Sequence, residues 1–278
     1  VSTAEGDEQD LTRKQRREQA REKRKELEDA QAASAVRRTR LIQLGIVGVI
    51  VVAIIIGIVV ATSGGKKNEG LKSETGPGGP RAQLIAAVGG LLGGIPESGS
   101  TLGTPSAPVT LQYFGDLQCP VCKQFTLGAL KPLIENDVRA GKLKIEYRGL
   151  ETATREPETF KTQQVAALAA GKQQKAWYYI ELFYHQQGEE HSGYVNENFL
   201  QEIAKQVPGL NVSKWQSDRS SSEFATELQG DAQASNTFGF TGTPSFAIGK
   251  TGGTAQKLEA ESFTDPSSFE AAVRRFGG

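Results

Sequence analysis

Val109-Thr110-Leu111-Gln112-Tyr113-Phe114 runs through Gly115-Asp116-Leu117-Gln118 into Cys119-Pro120-Val121-Cys122, and this stretch decides the fold. The first six residues read as a strand. The residues from Pro120 to Leu130 read as a helix. Cys119 therefore falls at a strand-to-helix turn, where the helix dipole and unpaired N–H groups stabilise a thiolate. A C-x-x-C on a helix start brings its two sulfurs face to face, so the pair can pass between dithiol and disulfide.

Cys119 and Cys122 are the only cysteines in the chain. Three plainer readings compete with a redox pair: an inert buried pair, a static disulfide that staples the turn, and half of a zinc site completed by His185 and His191. Zinc wants four converging ligands, commonly from two compact pairs. The histidines are distant in sequence and five residues stand between them, wider than the usual finger spacing. The strand–CxxC–helix context favours redox chemistry with no metal and no cofactor.

Lysine plus arginine and aspartate plus glutamate balance at 32 each in 278 residues, so global charge gives no reason to expect nucleic acid. The balance hides a local asymmetry. Residues 1–40 are strongly charged, and Thr12 to Ala32 has good helix formers but no apolar face. Leu41 to Ala61 then runs 21 residues without a charge. At ~1.5 Å per residue it spans ~30 Å, the thickness of a bilayer's hydrocarbon core. Arg37, Arg38 and Arg40 abut its start, which predicts a cytoplasmic N-terminus and an extracytoplasmic remainder. A cleaved signal peptide is the competing reading, but the charged region and the apolar core are both long for one. A single-pass bacterial membrane anchor is the expectation.

Residues 62–80 are rich in Gly, Ser, Pro and charge, and read as a flexible tether. A folded domain is expected over residues 81–278. It opens with a short helix from Gln83 to Leu92 and a turn-rich stretch to Pro108. The strand, the CxxC and a helix to about Asn136 follow, then a second strand at 142–147. A helical insertion is expected over about 154–236, with a break near Gly171. Asn196 and Ser222 are expected helix caps. Strands return at Ser245–Ile248 and Gln256–Leu258, and a last helix starts at Asp265-Pro266. The aromatic cluster Trp177, Tyr178, Tyr179, Phe183 and Tyr184 fits either a peptide groove or packing between helices, and packing is the commoner use. Gly249-Lys250-Thr251 lacks the first glycine of a phosphate loop, and Asn211-Val212-Ser213 is a glycosylation sequon by pattern alone.

The order strand–helix–strand, helical block, strand–strand–helix around a CxxC is the thioredoxin arrangement with an inserted helical domain. The chain resembles the membrane-anchored, actinobacterial-type members of the DsbA family of thiol–disulfide oxidoreductases. The likeness runs from about Leu84 to the C-terminus. It rests on Gly94-Ile95-Pro96-Glu97-Ser98-Gly99, Leu102-Gly103, Ala107-Pro108-Val109-Thr110-Leu111, Gly115 to Cys122, and Gly242-Thr243-Pro244-Ser245-Phe246. It implies that Cys119 is an exposed nucleophile and Cys122 the buried partner that resolves its mixed disulfides. Pro120, Val121, Asp116, Thr243 and Pro244 are implied as support, with a cis bond before Pro244. The substrates implied are cysteines of exported proteins, and the partner implied is a membrane redox protein such as a quinone-linked oxidase. Disulfide reduction or isomerisation, or a non-catalytic tethered module, are the alternatives. Two departures from the family pattern stand out. A buried glutamate six residues before the first cysteine is replaced by Tyr113, which leaves Asp116 and Glu146 as candidate proton acceptors for Cys122 beside a purely structural role for each. Val121 stands where strongly oxidising relatives carry histidine.

Overall fold

The computed structural model of the protein describes residues 79–277. The charged tail, the apolar span Leu41–Ala61 and all but the last two residues of the tether lie outside the described residues. Among the described residues no helix is long and apolar enough to cross a membrane.

Helix α1 (Pro80–Leu92) begins three residues earlier than expected, because Pro80 occupies its first turn, where a missing N–H costs nothing. A hairpin of two short strands, β1 (Glu97–Ser98) and β2 (Thr101–Leu102), occupies the stretch expected to be turns. Then come β3 (Val109–Gly115), α2 (Pro120–Leu127), α3 (Leu130–Leu133) with a π-helical turn at Ile134–Val138, and β4 (Leu143–Gly149). Five helices follow: α4 (Pro157–Gly171), α5 (Ala176–His185), α6 (Glu197–Gln206), α7 (Val212–Asp218) and α8 (Glu223–Phe238). The chain closes with β5 (Ser245–Lys250), β6 (Gln256–Leu258) and α9 (Ser267–Gly277).

The helix after the cysteines does not run on to Asn136. It stops at Gly128, where a Cβ would lie 2.6 Å from the Gln124 carbonyl oxygen and 2.9 Å from the Thr264 backbone. The Phe263–Thr264 loop presses against the chain at that point, and Ala129 N–H donates to the Phe263 carbonyl. No sequence period reports a contact made 135 residues away.

The strands form one sheet in the order β1-β2-β4-β3-β5-β6. Only β3 and β4 run parallel, and every other adjacent pair is antiparallel. The period of two along β3 splits its side chains between two faces. Leu111 and Tyr113 point to the main core, in register with Ile145 and Tyr147 of β4 and with Ile248 and Phe246 of β5. Phe125 of α2 and Phe269 of α9 close over them, with ring centroids 4.6–5.6 Å apart in the contacts among Tyr113, Phe125, Phe246 and Phe269. Phe114 points the other way, onto Phe238 and Phe240 at the end of α8. So the strand that delivers the cysteines is buried along its core face, half-buried at Thr110 and Gln112 on the other, and covered on both faces at its Phe114 end, which fixes that end in space.

The hairpin is tied to the helical block by a buried carboxylate. Glu97 Oε2 accepts the Trp177 backbone N–H at 3.0 Å. Helix α5 has no side-chain cap of its own, so Glu97 satisfies one of its unpaired first-turn donors. The Trp177 indole N–H donates to the Ser100 carbonyl at 2.9 Å. Burial pushes the Glu97 carboxyl up to about 7, against the pull of the Trp177 N–H and the Lys175 charge. Between about pH 4.5 and 7 the folded chain therefore keeps a proton that the unfolded chain gives up, and Glu97 withdraws stability as pH rises through this window. Thermal unfolding of wild type and Glu97→Gln across that range should show the wild type losing more stability than the variant. A gap between the two that does not change with pH would contradict this. Glu97→Ala, which leaves the Trp177 N–H without its acceptor, should cost ~1–3 kcal/mol.

Candidate active site

Cys119 is the N-cap of α2 and Pro120 its first helical residue. The Cys119 sulfur accepts the Cys122 backbone N–H at 3.4 Å, and its thiol donates to the Thr243 carbonyl at 3.4 Å. Both cysteines are free thiols and both are buried. Cys122 is fully covered and Cys119 keeps 5% of its surface, which corrects the expectation of an exposed nucleophile. The reason is the neighbouring chain. The Thr243 carbonyl closes one side, and the segment after α5 closes another through Gln187, whose Nε2 donates to the carbonyls of Leu117 (2.8 Å) and Cys119 (3.1 Å).

The two thiols are driven apart in acidity. Cys119 is drawn down to about 6, first by its hydrogen bond with the Cys122 thiol, against burial, and then by the Thr243 side chain and the N–H groups of Cys122 and Val121. Cys122 is pushed well up, by burial first and by Cys119 second. Near neutral pH the reduced pair therefore favours a thiolate at Cys119, at the helix start, over one at Cys122, and on ionising Cys119 gives up its bond to the Thr243 carbonyl and keeps the Cys122 N–H.

Asp116 is fully buried and lies at the end of β3. Its Oδ1 accepts from Gln118 N–H, the Thr154 hydroxyl and Gln163 Nε2, at 2.7–3.0 Å. Its Oδ2 accepts from the N–H groups of Thr152, Ala153 and Thr154, at 2.8–3.2 Å. Its carbonyl accepts from Cys119 N–H and from the Tyr184 hydroxyl. With its lone pairs filled by fixed donors, the carboxylate serves as the pin of the turn, and of its two candidate roles the structural one fits. Glu146 fails as a proton acceptor for a different reason. Alternation along β4 buries Ile145 and Tyr147 toward the cysteines and puts Glu146 on the other face, paired with Arg148 at 3.4 Å.

Thr243-Pro244 is a cis peptide leading into β5. The Thr243 hydroxyl hydrogen-bonds to the Thr152 hydroxyl, so the proline loop and the Asp116-bound loop hold each other. Pro120 is exposed and Val121 half-buried, both on the rim. Thr152, Thr154, Gln163 and Gln187 were not legible as site residues, since each is a common polar residue 30 to 70 positions from the turn it supports. Trp177, Tyr179, Phe183 and Tyr184 are fully buried, so the aromatic cluster is packing and not a groove. Among the described residues no three His, Cys, Asp or Glu side chains gather as a metal site. Asn211, the sequon asparagine, uses its side chain to cap α7 at Lys214 N–H.

A family model described as Thioredoxin matches residues 97–264. A probable disulfide bond formation protein D of Bacillus anthracis is 25% identical over 155 residues, which cover 53% of this chain and 68% of that protein. Among solved structures, oxidised BdbD from Bacillus subtilis superposes with a TM-score of 0.53 at 18% identity, over 65% of this chain and 97% of that one. The alpha-DsbA1 of Wolbachia pipientis gives 0.54 at 16% identity, over 67% and 92%. At these identities the two structures speak for the fold.

Two outcomes follow for the reduced protein. Alkylation by iodoacetamide should go to Cys119 with an inflection at about pH 6, and Cys122 should stay unlabelled until the chain is unfolded. Peptide mapping that finds equal labelling would overturn the asymmetry. Asp116→Ala strands several buried donors at once and should lower stability by at least ~3 kcal/mol, read by denaturant unfolding.

Proposed function

We propose, for a chain that belongs to the thioredoxin family and is a DsbA-like thiol–disulfide oxidoreductase, that its Cys119–Cys122 disulfide oxidises cysteines of exported proteins as they fold. The observation that carries this reading is the placement of the pair: Cys119 caps the helix and accepts the Cys122 N–H at 3.4 Å, while Cys122 lies fully buried one turn in, so the two thiols differ in acidity. A substrate thiolate attacks Cys119 Sγ of the disulfide form. The Cys119–Cys122 bond breaks, and Cys122 leaves as a thiolate and takes up a proton. A second substrate thiolate then attacks the substrate sulfur of the mixed disulfide, and Cys119 leaves. The substrate gains a disulfide, and the enzyme holds the two electrons as a dithiol. Stabilising the leaving Cys119 thiolate speeds that last step and favours the reduced enzyme, which makes the disulfide an oxidant.

The size of the effect bounds the direction. A thiol near 6 is mostly ionised at neutral pH, where an ordinary one is almost wholly protonated. The difference is worth at most ~1.4 kcal/mol, or ~30 mV for a two-electron couple, before solvent screening reduces it. The Cys119 value lies nearer to the ~7 of thioredoxin than to the ~3.5 of DsbA. That favours a second reading, a reductase or isomerase kept reduced by a membrane donor. Reduction potential separates the two. The charge pattern around Leu41–Ala61 supports a tether with the catalytic domain outside the cytoplasm and a membrane redox protein as the electron acceptor.

Equilibration of the full chain with glutathione buffers should give a potential between ~−120 and ~−270 mV. A value at the thioredoxin end would turn the assignment to the reductase. Val121→His adds a donor beside Cys119 and should move the potential upward by ~30 mV or more. For topology, an impermeant thiol reagent applied to intact cells after mild reduction should label Cys119, and labelling only after lysis would refute the orientation.

A further inference from the structure

Cys122 must lose a proton to close the disulfide and regain one when it leaves, yet it is fully buried and no base has yet been assigned to it. The aromatic residue in place of the family glutamate offers a hydroxyl. Tyr113 lies close enough to Cys122 to feel its charge: burial is the larger cause and Cys122 the next in holding the Tyr113 phenol up. Gly115 allows the packing, since a Cβ there would lie 2.8 Å from the Tyr147 ring and 3.1 Å from that of Tyr113. The Tyr113 hydroxyl hydrogen-bonds to the Thr126 hydroxyl at 3.4 Å and donates to the Tyr184 hydroxyl at 3.2 Å. Thr126 stands one helical turn after Cys122 on α2, on the same face.

Thr126 also lines a cavity of about 220 Å³ between α1, α2, α3 and α5. The other polar groups on its wall are Glu181 and His185 of α5 and Lys131 of α3; α1 contributes apolar side chains only. Glu181 is 1% exposed, and its Oε1 has no hydrogen-bond partner among the described residues. An isolated buried carboxyl is expensive and needs a reason. The cavity has room for several waters, which carry protons between polar groups on its wall. His185, one turn from Glu181, is exposed, and Lys131 is largely so and leans on Glu135. No other titratable group lines the cavity.

We propose that Glu181 is the positioning carboxylate that accepts and returns the proton of Cys122, by way of Thr126 and Tyr113. Burial holds the Glu181 carboxyl up at about 8, so both its forms are present near neutral pH, as a two-way carrier requires. The Thr126 hydroxyl donates to Tyr113 while Tyr113 donates to Tyr184, and a turn of the Tyr113 hydrogen from Tyr184 to Thr126 reverses the pair, so it can pass a proton in either direction. In the closing step, a mixed disulfide joins Cys119 to glutathione. The Cys122 proton moves through the hydroxyls to Glu181 and then, past His185, to solvent. Cys122 Sγ bonds to Cys119 Sγ, and glutathione leaves as the thiolate. The overall exchange oxidises the protein dithiol and reduces one glutathione disulfide to two thiols.

This rests on Cys122 being the resolving cysteine, and the experiment keeps the two claims apart. The reduced full chain is mixed with oxidised glutathione, acid-quenched at intervals and weighed by mass spectrometry, so that the mixed disulfide and the closed disulfide are counted separately. In wild type the closing rate should rise with an inflection at about pH 8. Glu181→Gln should slow closing by ~10-fold or more near neutral pH and abolish that inflection, while the mixed disulfide forms at the wild-type rate. Glu181→Asp should restore most of the rate, and Thr126→Val should behave like Glu181→Gln. A Glu181→Gln protein that closes with the wild-type rate and pH profile overturns the proposal, as does a defect that Asp does not rescue and Thr126→Val does not share. If Glu181→Gln does not fold, the wild-type profile and Thr126→Val decide: no inflection, or no slowing in Thr126→Val, overturns it. Failure of wild type to form a mixed disulfide at Cys119 would instead sink the oxidoreductase reading.

Discussion

A single carboxylate with six donors around it sets the geometry on which the rest depends. Asp116 follows a strand whose last residues are buried on both faces and ties three things to that point: the turn that carries Cys119, the loop at Thr152–Thr154, and Gln163 of α4. A buried charge is tolerated only where hydrogen bonds replace its water, and here they come from the cysteine turn, the loop that enters the helical insertion and the insertion's first helix. The insertion is thus part of the site. The end of its second helix, α5, reaches back through Tyr184 to the Asp116 carbonyl and, just beyond it, through Gln187 to the carbonyls of Leu117 and Cys119. The turn that carries the sulfur is thus held by hydrogen bonds from residues that follow it by about 35 to 70 positions, while the sulfur itself bonds to Thr243 and Cys122.

Desolvation then raises both thiols, three residues apart, with opposite outcomes. At Cys119 it is outweighed by donors: the Cys122 thiol, Thr243 and two backbone N–H groups of the first turn. At Cys122, one turn in, it dominates. The first turn of a helix is the only part with free N–H groups. A C-x-x-C that begins at the N-cap therefore gives one sulfur access to them and denies the other, whatever residues stand between. Pro120 fixes the start of the helix and so fixes which sulfur is favoured.

The parts of this arrangement that were legible in the sequence are those with a local physical cause. Alternation along β3 and β4, Pro120 at a helix start, Asn196 as a cap and Pro208-Gly209 as a stop all follow from short-range rules, and the elements stand where those rules put them. What escaped has a distant or a short cause. The strands at Glu97–Ser98 and Thr101–Leu102 are two residues long, too few to show a period. Helix α7 hides behind Asn211, whose side chain reads as a sequon and in fact caps. The end of α2 at Gly128 is imposed by Phe263 and Thr264. Asp116 was visible as an acid near the cysteines, but its job was not, because its partners lie 36 to 47 residues on. Glu181 did leave a signal: it is the lone acid in Ala176-Trp177-Tyr178-Tyr179-Ile180-Glu181-Leu182-Phe183-Tyr184, a helix with almost no exposed face.

Replacing a carboxylate with Tyr113 beside Cys122 has a consequence for Cys119. The largest single influence holding Cys119 down is its hydrogen bond with the Cys122 thiol, and that bond needs Cys122 to keep its proton. A carboxylate within reach would compete for the proton and, when ionised, would add a negative charge beside the Cys119 thiolate. A phenol pushed well above its ordinary value by burial does neither. It supplies a polar contact in a site lined by Phe125, Phe246 and Tyr147 without a charge that the site could not solvate. The cost falls on the step in which Cys122 must give its proton up, since no base then stands next to it. Setting the carboxylate back, across a cavity and two hydroxyls, reconciles the two demands. Cys122 stays protonated while Cys119 waits as a thiolate, and the proton still has a place to go when the disulfide closes.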